Sequence, residues 1–433
     1  MKQLLTLQDA GAHIRGVCFK TGPPAQVGVE LEWLVHDAAD PLRPVAAARV
    51  EQALDGLAVP GALPGGSRLT REPGGQVELS SRPGPLRSCL NEAAADTAAL
   101  RETLAGHGLT LTGWGLEPFL DPARILEHPR YLAMETYFDR GGPWGRWMMR
   151  ATAGVQVNVD AGDDGDGISG WRRRWRLAHR IGPVLVAAFA NSPLWHGRPT
   201  GWRSSRQALW TRLDPGRTRP PDDDHADDPR FAWADYALDA EVLCVRREEP
   251  EGWEAPAGLT LRSWLAGDCG LNGSRGLRPP TTEDLDYHLT TLFPPVRPRG
   301  WLELRMIDAQ HGPSWTVPLV VAATLLDDPA AAQAAWEATE PLCSGGLVPP
   351  PQLWERAART GLCAPELGKA ALGCFAAVEN ALAGSEADLR DSVTAFIERY
   401  VSRGRCPADD YLDALHGGAS LQPLGMAQEE AWL

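Results

Sequence analysis

Hydrophobic and polar residues alternate along several short stretches of the chain and recur at helical spacing along longer ones. Successive side chains of a strand point to opposite faces, so the alternation predicts β-strands at residues 26–35, 109–114, 155–160 and 300–308. Apolar residues spaced three and four apart predict helices within residues 1–20, 86–106 and 171–191. The later part of the chain is helical in pattern throughout, with helices predicted at 317–340, 352–382, 385–403 and 407–416.

The order of these elements indicates the fold class. Strands and helices are interspersed early and helices alone follow, which favours an α+β fold with an antiparallel or mixed sheet over a regular βαβ arrangement. We expect residues 1–316 to form the sheet-containing region and residues 317–433 a helical region packed on it, within one structural domain. Residues 214–230 are rich in Pro and Asp and are predicted to form a mobile loop, with a second loop at 247–258.

The polar faces of the predicted strands carry carboxylates and amides. Glu30 and Glu32 share one face of the first strand because they are two residues apart. The same spacing elsewhere groups Gln76, Glu78 and Ser80, then Gln156, Asn158 and Asp160, and finally Glu303 and Arg305. Any one of these faces alone is most simply a face in contact with water. Four such faces together favour their convergence on one site, because strand faces in contact with water usually also carry Thr, Lys and Arg.

Carboxylates that converge need a cation or a proton. Two carboxylates about 4 Å apart repel each other by about 4 kcal/mol at an effective dielectric constant of about 20. A ligand set of oxygens, without His or Cys, selects hard cations, and Mg²⁺ bound together with phosphates is the commonest intracellular case. A Pro-Gly-Gly turn at residues 73–75 would bring Glu72 beside Glu78. These residues therefore predict a magnesium–nucleotide site on one face of the sheet.

Arginine supplies nearly all of the positive charge, because only three of the 42 basic residues are lysines. Any clamp for a phosphate or a carboxylate must then be built from arginine. The stretch 190–218 is a candidate, since it combines a Ser-Pro pair, glycines and five arginines. A solvated basic loop is the simpler interpretation of this stretch, and both interpretations stay open.

Composition argues against several classes of protein. The chain has 433 residues and a formal net charge of −14, and this acidity argues against nucleic acid or an anionic membrane as a partner. No apolar run approaches the roughly 20 residues of a membrane span. We expect a cytoplasmic protein with reduced thiols, because the N-terminus lacks a signal-peptide pattern and the eight cysteines form no CxxC pair. The sequence has neither a P-loop nor a GxGxxG after a strand, so a nucleotide would be bound in another way.

Six segments of the chain form an ordered set: GVELEWLV (28–35), EPGGQVELS (72–80), RYLAMETYF (130–138), MMRATAGVQVNVD (148–160), ANSP…GRPTGWRSSR…W…R (190–217) and WLELRMIDAQ (301–310). Each segment is weak alone, but the set resembles the glutamate–cysteine ligases of the plant/actinobacterial type, within the carboxylate–amine ligases. The resemblance is in particular to the actinobacterial members that make γ-glutamylcysteine for ergothioneine synthesis. It covers about the first three quarters of the chain.

This resemblance implies a fold and a metal site. The fold would be an antiparallel sheet folded into a funnel and flanked by helices, as in glutamine synthetase and guanidino kinases, with Mg-ATP on its concave face. The family's carboxylate ligands, for two or more Mg²⁺ ions, correspond here to Glu30, Glu32, Glu72, Glu78 and Glu303.

The resemblance also implies roles for other polar residues. Gln156 and Asn158 would lie near glutamate and the phosphates, and Arg206 would contact a substrate carboxylate. ATP would be contacted by Glu32, Asn158 and Arg305. Arg305 would act on the transition state, and the catalytic residues would be Arg305, Glu30 and Glu303.

The implied reaction is the ATP-dependent joining of the γ-carboxyl group of L-glutamate to L-cysteine through γ-glutamyl phosphate. Its partners would be ATP and the two amino acids, with no nucleic acid, no membrane and no obligate protein partner. Two alternatives remain open: the same chemistry with another amine acceptor, and a non-catalytic metal-binding relative. The second would require loss of a carboxylate or of Arg305, and the sequence shows neither loss. A guanidino kinase would share the sheet, but no phosphagen-specificity loop is found.

Overall fold

The structure is a computed structural model that describes residues 5–21, 25–57, 59–222, 228–248, 251–267, 277–384 and 386–418. Its strands are β1 (Val27–Asp37), β2 (Arg68–Arg71), β3 (Val77–Ser80), β4 (Leu109–Thr112), β5 (Gly154–Asp160), β6 (Leu194–Trp195), β7 (Arg198–Pro199), β8 (Val296–Pro298) and β9 (Trp301–Asp308). Seven of them form one antiparallel sheet in the order β2-β3-β1-β5-β9-β8, with β4 paired to the C-terminal half of β1. Strands β6 and β7 form a separate hairpin.

The register of the sheet brings predicted polar residues together on one face. Glu30 of β1 is paired with Ser80 of β3 on one side and with Gln156 of β5 on the other. Glu32 is paired with Glu78. Residues that are paired directly across neighbouring strands point to the same face of a sheet. The convergence predicted for these faces is therefore confirmed for β1, β3 and β5.

The pairing between β5 and β9 contains one irregularity. Val157 is paired with Leu304, whereas Val155 is paired with Ile307, so β9 has one residue more than β5 between the two pairs. Such a bulge shifts the alternation of side chains by one position. Ile307 therefore pairs with Val155, while Met306 is also buried in the main core, as the alternation predicted.

The helices are α1 (Leu7–Cys18), α2 (Ala47–Leu54), α3 (Leu86–Gly106), α4 (Pro129–Phe138), α5 (Trp144–Ala151), α6 (Trp171–Ala188), α7 (Ser205–Trp210), α8 (Pro215–Thr218), α9 (Pro229–Asp239), α10 (Leu261–Leu265), α11 (Thr282–Leu289), α12 (Thr316–Asp327), α13 (Pro329–Thr339), α14 (Pro351–Thr360), α15 (Pro365–Ala381), α16 (Ala387–Arg399) and α17 (Pro407–His416). The helices predicted within 1–20, 86–106 and 171–191 are confirmed as α1, α3 and α6.

Two long helices predicted in the C-terminal part are each divided. The segment 317–340 forms α12 and α13, and 352–382 forms α14 and α15. Pro329 and Pro365 are the first residues of α13 and α15, the position where a residue without a backbone N–H is tolerated. Asp328 caps α13, because its side chain accepts a hydrogen bond from the backbone N–H of Ala331.

One hydrophobic core extends through both parts of the chain. On the apolar face of the sheet, Val29, Val157 and Leu304 are buried, and they belong to the same core as the apolar residues of α6 and α12. This core contains residues from Ala10 to Val401. The boundary at residue 316 stays a prediction, and a shared core is what we expect of two regions within one domain.

The segment 214–230 is not wholly a loop, which corrects that prediction. Its described residues include helix α8 and the start of α9. Arg217 of α8 is fully buried, with Nε donating to Asp214 Oδ2 at 3.0 Å and NH1 to the carbonyl oxygen of Thr291 at 2.7 Å. Residues 223–227 of the predicted loop lie outside the described residues.

In the described part of the chain, no single helix has the length and hydropathy to cross a membrane. By length and composition alone, one bent pair passes that criterion, formed by residues Pro351–Cys363 and Pro365–Ala381 at an angle of 77°. Leu367, Ala371 and Val378 of this pair are buried in the main core, as in a core helix of a globular protein.

Candidate active site

The polar face of the sheet lines a large cavity. Its volume is about 670 Å³, which is typical of small-molecule sites. Residues of β1, β3 and β9 line it, together with residues of α4, α5 and α7. Its described lining includes four glutamates and seven arginines: Glu30, Glu32, Glu72, Glu78, Arg68, Arg82, Arg130, Arg206, Arg297, Arg299 and Arg305.

Glu30 and Glu32 reach this cavity from β1. Burial, with Glu303 and Glu78 nearby, raises the pKa of Glu30 to about 7. Burial also raises the pKa of Glu32, against the opposing effect of the Arg206 guanidinium. A raised carboxyl pKa means that the surroundings do not fully compensate the negative charge. Both groups therefore attract a proton or a cation.

Glu78 reaches the cavity from β3, opposite Glu32. Its Oε1 accepts hydrogen bonds from Thr70 Oγ1 at 2.8 Å and from Ser80 Oγ at 2.9 Å. Both donors are hydroxyl groups, so they orient the carboxylate without neutralising it. Ser80, which the sequence placed on the same face, thus positions Glu78.

Glu72 is held beside Glu78 by the predicted turn. The backbone N–H of Glu72 donates to the carbonyl oxygen of Gln76, and the N–H of Gly75 donates to that of Glu72, both at 2.9 Å. A Cβ at Gly74 would lie 1.9 Å from a backbone oxygen of α5, so only glycine fits there. Burial, together with the charges of Glu78 and Glu32, raises the pKa of Glu72 well above its usual value.

The predicted amides of β5 bind the carboxylates of β1. Gln156 Nε2 donates to Glu32 Oε1 at 2.8 Å, and Asn158 Nδ2 donates to Glu30 Oε1 at 3.3 Å. Trp301 Nε1 in turn donates to Asn158 Oδ1 at 2.9 Å. Each amide therefore holds one carboxylate in place across the β1–β5 ladder.

Glu303 is surrounded by arginines. Its Oε2 accepts from Arg297 Nε at 2.8 Å and its Oε1 from Arg297 NH2 at 2.9 Å, and Arg305 NH1 also donates to Oε1. Burial alone would raise the pKa of Glu303, but the charges of Arg297 and Arg305 lower it to about 2. The carboxylate is thus ionised and paired, and it lies outside the described lining of the cavity.

Arg305 connects Glu303 to the rest of the site. Its NH1 donates both to Glu303 and to Gln156 Oε1, and Gln156 donates to Glu32. A continuous set of hydrogen bonds therefore runs from Arg297 on β8 to Glu32 on β1, across four strands. Among the residues that the structure describes, Arg305 Nε has no hydrogen-bond partner, so this donor is available to a ligand.

Arg206 enters the cavity from α7 and is fully buried. Its NH2 donates to the carbonyl oxygen of Arg305 at 3.0 Å, and its NH1 lies 3.8 Å from Asp308 Oδ1. Within the described chain, Nε and NH1 have no hydrogen-bond partner. Buried donors are normally paired, so these two suit a carboxylate or phosphate ligand.

Sequence reasoning missed several arginines of this cavity. Arg297 was not selected, because its role depends on pairing with Glu303 across the β8–β9 hairpin. Arg130 lies in a segment that resembles the family, but nothing in the segment alone distinguished it. Arg68, Arg82 and Arg299 are exposed at the cavity and would have been interpreted as solvated charges.

The donor set fits a hard cation, although the carboxylates are not gathered into a finished ligand cluster. Over the described ranges, no group of three or more His, Cys, Asp or Glu side chains is spaced to hold a metal ion. Burial nevertheless raises the pKa of Glu30, Glu32 and Glu72, and a divalent cation would compensate their charge. All of these donors are carboxylate oxygens, as Mg²⁺ prefers.

Comparison with known proteins identifies the family. Residues 26–430 match the model of glutamate–cysteine ligase family 2 (GCS2). The chain belongs to this family. It is 41% identical over 415 residues to the glutamate–cysteine ligase EgtA of Mycolicibacterium smegmatis, which covers 95% of this chain and 92% of that protein. It is 39% identical over 422 residues to EgtA of Mycobacterium tuberculosis, with 96% and 92% covered.

More distant relatives include plant enzymes. The chloroplastic glutamate–cysteine ligase of Medicago truncatula is 31% identical over 323 residues, or 70% of this chain and 61% of that protein. These matches confirm the resemblance inferred from the six segments.

A solved structure supports the fold. The crystal structure of a glutamate–cysteine ligase from Francisella tularensis in complex with AMP has a TM-score of 0.53 and 12% identity, covering 95% of this chain and 89% of that one. At this identity the similarity concerns the fold alone, and it confirms the predicted α+β class with its antiparallel ligase sheet.

Proposed function

We propose that this member of the family is an ATP-dependent glutamate–cysteine ligase, which joins the γ-carboxyl group of L-glutamate to the amine of L-cysteine. The observation that carries the proposal is the cavity on the polar face of the sheet, where buried carboxylates face Arg206 and Arg305. Membership of the family supports the reaction class, and the cavity supplies a place for it.

The reaction has two steps. In the first step, an oxygen of the glutamate γ-carboxylate attacks the γ-phosphorus of ATP, and the bond between this phosphorus and the β,γ-bridging oxygen breaks. ADP is the leaving group, and γ-glutamyl phosphate is formed. The unprotonated amine of cysteine then attacks the acyl carbon, phosphate leaves, and the nitrogen loses a proton to water. Neither step forms a bond to the protein, so positioning and charge neutralisation account for the rate.

Two or more Mg²⁺ ions would be held by Glu30, Glu32, Glu72, Glu78 and Glu303. A bound Mg²⁺ neutralises the phosphate oxygens of ATP and so assists transfer of the γ-phosphoryl group. Four of these carboxylates line the cavity. Glu303 already accepts three hydrogen bonds from Arg297 and Arg305, so as a metal ligand it would be shared between the cation and two guanidinium groups.

Arginines and amides would bind the anionic parts of the substrates. Arg206 has two buried donors without a partner among the described residues, which supports contact with a substrate carboxylate. The Nε of Arg305, which has no partner within the described chain, supports contact with the phosphoryl group in transfer. Gln156 and Asn158 would orient the carboxylates of β1 toward glutamate and the phosphates of ATP. Glu32 and Asn158 would also contact ATP.

The test measures ADP release by the purified protein with Mg-ATP and glutamate, with and without cysteine, and identifies the product by mass spectrometry. We expect ADP release to depend on both amino acids and the product to have the mass of glutamylcysteine. A panel of other amino acids tests the alternative amine acceptor. Faster turnover with another amine would show that this amine, and not cysteine, is the acceptor. Absence of ADP release with every amine would contradict the proposal.

We further expect the product to supply ergothioneine synthesis and the protein to act in the cytoplasm on small molecules alone. The support is the resemblance to ligases of that pathway and the acidic charge, which disfavours nucleic acid and anionic membranes. Genes for ergothioneine synthesis next to the gene of this protein would support this pathway. Neighbouring genes from another thiol pathway would instead assign the product to that pathway.

A further inference from the structure

A second cavity, which we call the tryptophan cavity, lies on the other side of α7 from the catalytic cavity. Its volume is about 640 Å³, similar to that of the catalytic cavity. Ser205, Ala208 and Leu209 of α7 line it, whereas Arg206 and Trp210 of the same helix line the catalytic cavity. The two cavities have no lining residue in common within the described chain.

Four tryptophans line the tryptophan cavity: Trp144, Trp147, Trp195 and Trp202. Trp147 and Trp195 meet edge to face, with ring centroids 4.1 Å apart and an interplanar angle of 81°. All four indoles are half-buried, so part of each ring surface stays accessible. Such surface is favourably covered by another planar ring.

The charged groups of this cavity are basic. Arg198 and Arg212 line it, and its described lining contains no carboxylate. Neither guanidinium forms an ion pair with any residue that the structure describes. The three other arginines of residues 190–218 do form ion pairs, namely Arg203–Asp409, Arg206–Asp308 and Arg217–Asp214.

Both arginines lie next to the indoles. Arg212 Cζ is 4.6 Å from the ring centroid of Trp144 and 5.9 Å from that of Trp202. A guanidinium packed on an aromatic ring keeps its N–H groups available to an anion. Arg198 is paired with Trp195 across the β6–β7 hairpin, so a second guanidinium neighbours another of the four indoles.

We propose that the tryptophan cavity binds a small planar aromatic anion, with its ring on the indoles and its carboxylate or phosphate on Arg212 and Arg198. Ring stacking and charge-assisted hydrogen bonds then act on one ligand. The net charge of the protein is −14, so a cavity whose described lining holds two arginines and no carboxylate is a selective place for an anion. Because α7 separates the two cavities, this ligand binds together with ATP and glutamate.

Isothermal titration calorimetry tests the proposal with two probes, indole-3-acetate for the carboxylate and 1-naphthyl phosphate for the phosphate. We expect at least one of them to bind one-to-one with a Kd below about 1 mM. The probe that binds identifies the preferred anion. Indole, which lacks the anion, and acetate or inorganic phosphate, which lack the ring, should bind at least about 10-fold more weakly. Saturating glutamate and tripolyphosphate, neither of which has a ring, should leave the Kd unchanged.

Two variants from different elements test the location. Arg212→Gln and Trp195→Leu should each raise the Kd of the probe at least about 10-fold, since each removes one of the two contributions. Arg390→Gln is the control, because Arg390 is an exposed arginine of α16 outside the described lining of the cavity. The proposal is overturned if neither probe binds below about 1 mM, if both variants bind like the wild type, or if glutamate or tripolyphosphate displaces the probe.

Discussion

Replacement of Arg305 by lysine separates a catalytic role of this residue from a structural one. The change keeps a positive charge beside Glu303 but removes the planar guanidinium. It also removes Nε, which has no hydrogen-bond partner among the described residues. A lysine ammonium can still donate to Glu303 or to Gln156, so the fold should survive while the transition state loses a donor.

The expected effect on kcat is large. Removal of one donor aimed at transition-state charge lowers kcat by about 10²–10³-fold in other enzymes. A loss of about 10²-fold corresponds to about 2.7 kcal/mol of activation free energy. The KM for ATP should change little, because the interaction strengthens only in the transition state. The weakened bond to Glu303 should also lower the free energy of unfolding by about 1.5–3 kcal/mol.

The assay combines steady-state ADP release at saturating substrates with thermal unfolding. Arg299→Lys is the matched control: Arg299 NH1 lies 3.8 Å from the same Glu303 carboxylate, but its side chain is 42% exposed. We expect this control to retain kcat within about threefold. If Arg305→Lys unfolds at a lower temperature yet turns over within a few-fold of the wild type, the catalytic reasoning is refuted. Arg305 would then be the structural counter-ion of Glu303.

Four further predictions concern the metal site and the core. Glu30→Gln should lower kcat at least about 10²-fold with little change in Tm, and wild-type turnover at saturating Mg²⁺ would remove Glu30 from the site. Glu303→Gln should lower kcat by a similar factor. It should also destabilise the protein by about 3–5 kcal/mol, because Arg297 loses its buried ionic partner. An unchanged Tm would argue against the Arg297–Glu303 pair as a stabilising contact. Chelation by EDTA should abolish ADP release and Mg²⁺ should restore it, whereas activity that persists in EDTA would contradict a metal site. Burial lowers the pKa of His288 from 6.5 to about 4. Between these two values the unfolded chain binds a proton that the folded protein does not, so the free energy of unfolding decreases as the pH falls from 6.5 to about 4. His288→Gln should remove up to about 3 kcal/mol of this decrease, and a variant whose unfolding has the same pH dependence as the wild type would contradict the prediction.

Local patterns in the sequence predicted much of the sheet and of its polar face. A period of two residues is a property of one strand, so it placed Glu30 with Glu32 without any knowledge of the partners. The chemical similarity of the faces then predicted their convergence, which the pairing of Glu32 with Glu78 and of Glu30 with Gln156 confirms. Pro-Gly-Gly likewise predicted the turn that holds Glu72.

Features that depend on pairing between distant elements could not be predicted. The β9 bulge that places Ile307 opposite Val155 follows from the match between two strands and not from either one alone. The same holds for Arg297, whose role is defined by Glu303 across a hairpin. The tryptophan cavity assembles residues of α5, α7 and the β6–β7 hairpin, and only the fold brings these segments together.

The most direct test of the central claim uses glutamate labelled with oxygen-18 in its γ-carboxyl group. If a γ-carboxylate oxygen attacks the phosphorus of ATP, that oxygen stays on phosphorus when cysteine displaces phosphate. Phosphorus-31 NMR of the released phosphate should therefore show one labelled oxygen per molecule when ATP, labelled glutamate and cysteine turn over together. Unlabelled phosphate, released at the same rate as the peptide forms, would contradict the γ-glutamyl phosphate route and with it the chemistry assigned to this cavity.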